Sequence, residues 1–179
     1  MKEALKVLLA GAVLALGLAG LTFAQTTANQ TVTMQISAIS AMRVTGNPLS
    51  LTVSAPAVGG DLPANPSDSS TYAQYTSTVG AGVSRRLQAS WGNSDAAPAG
   101  CSLLLTATPA ALPNQGTSAG QITMTSTAAN VVTGIRSCAT GTGAANGAQL
   151  AYVLSISDMT ALVAGDNRTV TVTLTLTDN

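Results

Sequence analysis

Near its C-terminal end the chain alternates without a break from residue 169 to 177. Val170, Val172, Leu174 and Leu176 fall on one parity, and a threonine holds every position between them. Successive side chains of a strand point to opposite faces, so a period of two sends one set to a core and the other to solvent. The pattern returns three times. Val32, Met34 and Ile36 alternate with polar residues over 31–37, Leu49, Leu51 and Val53 over 49–53, and Leu150, Tyr152, Leu154 and Ile156 over 150–156. Weaker strand candidates cover 42–45, 74–79, 85–91, 102–107 and 121–125.

Turn-forming residues separate these runs: Gly46-Asn47-Pro48, Asn93-Ser94-Asp95, Pro98-Ala99-Gly100 and Gly165-Asp166-Asn167. Short strands at such spacing predict an all-β fold, an Ig-like Greek-key β-sandwich of about seven to ten antiparallel strands. The expected core takes Val32, Met34, Ile36, Leu49, Leu51, Val53, Leu103, Leu105, Ile122, Tyr152, Leu154 and Ile156, and the apolar parity of the run at 170–176. Only 128–135 offers room for a helical turn. Two stretches, 55–70 and 137–147, are rich in Pro, Gly, Ala and Asn and are expected to be long loops of the kind that carry function.

The N-terminus has a different character. Lys2 and Lys6 flank Glu3, an apolar stretch continues to Phe23, and Thr22-Phe23-Ala24 sets small residues around a cut before Gln25. This is the layout of a signal peptide, so residues 1–24 are expected to be a signal helix and 25–179 a single exported domain. An uncleaved anchor is the alternative, since the stretch approaches the length of a span. Leu21 stands where a lipidated cysteine would be, so lipoprotein processing is not expected. The mature chain would be secreted, periplasmic or at the cell surface, with membrane contact only through the signal.

Charge narrows the function classes. Beyond residue 24 the chain has Arg43, Arg85, Arg86, Arg136 and Arg168 against Asp61, Asp68, Asp95, Asp158, Asp166 and Asp178, with no Lys, Glu or His. Scattered arginines do not make a phosphate-binding surface, so nucleic acid is excluded as a partner. The absence of His and Lys removes the usual general bases, and the aspartates fall in turn-like positions, so the chain is expected not to be an enzyme. No metal site or cofactor is expected, because there is no calcium-loop spacing and two cysteines without His cannot complete a zinc site. In an exported chain Cys101 and Cys138 are expected to form a disulfide that contributes roughly 4 kcal/mol in the chain-entropy picture. A free pair is the alternative.

Few residues suggest a ligand. Tyr72, Tyr75 and Trp91 are the candidates for stacking on a sugar ring, although Trp91 shares parity with Leu87 and Ala89 and is expected to point inward. The segment 31–37 has more content. An alternating strand near a mature N-terminus can add to a neighbour's sheet edge, with main-chain hydrogen bonds giving affinity and Val32, Met34 and Ile36 filling pockets. Signal peptide, alternating N-terminus, cysteine pair, low charge, threonine-rich strands and alternating final strand together resemble bacterial fimbrial subunits. Asp178 stands where many such subunits carry a tyrosine. The resemblance implies a surface structural subunit whose partners are copies of itself or other surface proteins. The alternative is a secreted binding module for carbohydrate or protein, using loops 55–70 and 137–147.

Overall fold

The computed structural model describes residues 29–46 and 48–179. The expected signal peptide and its cleavage site lie outside the described residues. Ten strands follow in order: β1 (Ile39–Thr45), β2 (Ser67–Thr78), β3 (Arg85–Trp91), β4 (Cys101–Thr108), β5 (Thr117–Ser118), β6 (Gln121–Thr123), β7 (Ala129–Ile135), β8 (Cys138–Ala139), β9 (Ala148–Ile156) and β10 (Val172–Asp178). One turn of 3-10 helix, Met159–Ala161, lies between the last two. The described residues are thus all-β, built from two antiparallel sheets. The first runs β1-β2-β9-β4-β6, with β8 also pairing β2, and the second runs β10-β3-β7-β5.

The sheets share one core because alternation turns a face of each inward. In β9, Ala148, Leu150, Tyr152 and Leu154 are buried, and in β4 so are Leu103, Leu105 and Ala107. The second sheet answers with Leu87 and Ala89 of β3 and Val131, Val132 and Ile135 of β7. Val170, Val172, Leu174 and Leu176 pack against this cluster while staying half-buried, since β10 is an edge strand. The outward positions of β10 are threonines, which suit a half-exposed pleat.

Several expectations change. Residues 29–38 contain no strand, and Val32, Met34 and Ile36 are exposed at 65%, 89% and 84%. Alternation alone does not make a strand when no neighbour supplies a ladder, so these three leave the core. Residues 48–56 likewise join neither sheet. Leu49 and Leu51 pack against the core, but Pro48 and Pro56 bracket the run and withhold the N–H donors that a ladder needs. The expected helical turn at 128–135 is instead β7. Its pairing with β3 shifts register twice, which lets neighbours Val131 and Val132 both reach the core. That bulge erased the period of two and left a spacing that imitates a helix. The long loop before β2 ends at Pro66, and the loop at 137–147 contains β8.

Candidate functional site

Edge strands present unpaired backbone groups, so β1 and β10 are where another chain could add. Neither has an outer neighbour among the described residues. β1 pairs β2 from Ile39 opposite Thr78 to Thr45 opposite Tyr72, and β10 pairs β3 from Val172 opposite Trp91 to Asp178 opposite Arg85. Arg85 ties the two edges together. Its guanidinium is almost wholly buried, donates from Nε to Asp178 Oδ1 at 2.7 Å, and donates from Nη1 to the Ile39 carbonyl. A buried cation held by a carboxylate and a carbonyl fixes the start of β1 beside the end of β10. β10 itself carries no charge before Asp178 and no proline, the devices that commonly blunt an edge.

The stacking candidates are separated rather than gathered. Tyr75 points inward from β2 and is 2% exposed, and its hydroxyl donates to the Gln115 carbonyl at 2.6 Å. Burial holds that hydroxyl protonated far above the ordinary tyrosine range. The ring therefore has no face to offer a sugar, and this candidate is withdrawn. Tyr72, three residues earlier, lies on the opposite face of β2, half-buried, and its oxygen accepts from Gln149 Nε2 at 3.3 Å. Trp91 ends β3 and packs against the core. The three do not form one platform.

The loop after β8 is fixed over the outer face of the first sheet. Gln74 lies there, its amide oxygen accepting from Arg43 Nε at 2.8 Å and its nitrogen donating to the Gly143 carbonyl at 2.5 Å. Arg43 also donates to the Thr142 carbonyl, and Thr45 to that of Ala144. Sequence reading did not single out Gln74 or Arg43; a glutamine at an outward strand position gives no sign that a loop will bury it. A shallow cleft of about 510 Å³ opens elsewhere, between residues 62–65 and 156–159. Asp158 at its rim is occupied locally, accepting from the Thr160 amide and hydroxyl, which holds its carboxyl below the usual range.

Cys101 and Cys138 are unbonded, and the register explains why. Cys101 starts β4 opposite Ile156, whereas Cys138 sits opposite Ser77. Ala148 of β9 faces Ala73 of β2, so about twelve strand positions separate the two levels. At 3.3 Å per residue that is roughly 40 Å, against the roughly 7 Å that a disulfide can bridge between Cα atoms. The expected disulfide is corrected to two half-buried thiols at opposite ends of the first sheet. Burial pushes both upward, and Asp166 adds to the effect at Cys101.

Comparison with protein-family models, with curated proteins and with solved structures yields no match.

Proposed function

We propose that this chain is a non-catalytic structural subunit of a bacterial cell surface, exported by its N-terminal signal and assembled with its own kind by strand addition. The observation that carries this reading is the segment at 31–37. It has the alternation of a strand, it pairs with nothing among the described residues, and it leaves Val32, Met34 and Ile36 in solvent. The bare edges of β10 and β1 supply the complementary half, rows of N–H and C=O groups that an added strand would satisfy. We read the strand order of the two sheets, with neighbours distant in sequence, as an Ig-like Greek-key sandwich, which suits such exchange. The alternative of a sugar-binding module has less support, because Tyr75 is buried, Tyr72 lies on the opposite face of β2, and Trp91 stands on the other sheet, packed against the core.

Sedimentation of the processed chain tests the proposal. Higher-order species should form as concentration rises. Removing residues 25–37 should leave the sheet signal in circular dichroism intact and abolish those species. A chain that stays monomeric at millimolar concentration under reducing conditions would overturn the reading.

A further inference from the structure

The charges of this domain are sorted by end. Four of the aspartates, Asp61, Asp95, Asp158 and Asp166, lie in the connections around the start of β4, and Asp68 lies at the near end of β2. Arg85 and Arg86 open β3, Arg136 follows β7, and Arg43 reaches the loop beyond β8, all toward the opposite end. The two exceptions are neutralised in place: Asp178 pairs with Arg85, and Arg168 with Asp166, each at 2.7 Å. Among the described residues one end is therefore acidic and the other basic. Each end also has exposed apolar side chains, Leu62, Met159 and Val163 at the acidic end and Val83 and Leu112 at the basic one. Each holds one cysteine, neither enclosed.

We propose that the acidic end of one copy docks on the basic end of the next, and that Cys101 of the first and Cys138 of the second are then joined by a disulfide. The proposal rests on the structural-subunit reading and supplies it with a second, covalent contact. Opposite charge at the two ends favours a head-to-tail arrangement over an end-to-end symmetric dimer, in which like ends would meet. A contact of that kind leaves a free acidic end and a free basic end on every pair, so further copies can add. Docking also offsets a local obstacle. Burial and, after it, Asp166 disfavour the Cys101 thiolate, and arginines brought by the neighbour oppose the second of these effects.

The oxidant is a small disulfide such as glutathione disulfide. One cysteine thiolate attacks it, the sulfur–sulfur bond breaks, a mixed disulfide forms and one glutathione thiolate leaves. The second cysteine attacks the mixed disulfide, forms the bond between copies and expels the second glutathione. The two protons lost by the protein thiols end on the two glutathiones, and two electrons pass from protein to oxidant.

The test is incubation of the processed, reduced chain with glutathione disulfide, followed by non-reducing electrophoresis and mass measurement. The wild type should give a ladder that collapses with reductant. Cys101→Ser and Cys138→Ser should each stay monomeric alone, while their equal mixture should give dimer and nothing larger. Raising salt to about 0.5 M should slow the ladder roughly three-fold or more. A monomer that loses both thiols to an internal bond would overturn the proposal, as would single variants that dimerise as well as their mixture. Sedimentation in reductant keeps the two readings apart. Assembly there without a ladder under oxidation defeats this inference alone. A ladder without assembly in reductant supports it and removes strand addition.

Discussion

Tyr75 shows how one residue's surroundings decide what it can do. Two tyrosines near a long loop look like a sugar platform, but a spacing of three in a strand sends them to opposite faces. Tyr75 becomes a core residue whose hydroxyl closes onto the Gln115 backbone. Tyr75→Phe should therefore lower stability by about 1–2 kcal/mol, the cost of leaving a buried carbonyl without a donor. Chemical denaturation measures that cost, and assembly measured under folding conditions should not change. The parity of Trp91 was readable from Leu87 and Ala89, and it does pack against the core. Neither the burial of Gln74 nor that of Arg85 was readable, because a polar side chain carries no local sign of the loop or edge that will cover it.

At the scale of the element, legibility followed the chemistry of the inward face. β9 and β10 announce themselves because aliphatic residues alternate with polar ones, whereas β3 and β4 read as weaker candidates, β4 because Leu103, Leu104 and Leu105 run together. The first half of β2 does not stand out, because its buried inward positions are Thr71 and Ala73, a hydroxyl and a small side chain that a hydrophobic pattern hardly registers. β7 is hidden by its bulge. The reverse error, reading 31–37 as a paired strand, arises because alternation reports the faces of a segment and not the presence of a neighbour. The join between the 140s loop and β9 has a stringent requirement that sequence alone did not reveal. Gly147 has φ +101°, and a Cβ there would collide with the Ala73 carbonyl of the adjacent strand. Gly147→Ala should cost about 2–4 kcal/mol through strain and displaced backbone. Thermal melting checks this, and hydrogen exchange should show the loss first at the β2–β9 ladder.

For the whole molecule, the absence of His, Lys and Glu beyond residue 24 has a direct thermodynamic effect. Stability depends on pH only where folded and unfolded states bind different numbers of protons. Asp68 and Asp158 have lowered carboxyl values through their hydrogen bonds to Ser70 and Thr160, so their contribution is present above about pH 4 and lost as pH falls through the folded value. Tyr152 is pushed up to about 12 by burial, and Tyr75 and both thiols also move upward. These groups stabilise the fold below their unfolded values, and that stability is lost as pH rises through roughly 9 to 12. Melting temperature for residues 25–179 should accordingly be flat between about pH 5 and 8 and fall on both sides. A slope of several degrees across that plateau would contradict the assignment.

The placement of β1 also determines how the domain would respond to a pull. When Ile39 is drawn against the opposite end of the domain, the pull runs along the axis of β1, while the hydrogen bonds to β2 run across that axis. All seven residue pairs from Ile39–Thr78 to Thr45–Tyr72 then carry the load together, in shear, instead of opening one after another like a zipper. Arg85 grips the Ile39 carbonyl at the point where the load enters. Tension between the N-terminal segment and the far end of the domain would meet this ladder at its most resistant angle.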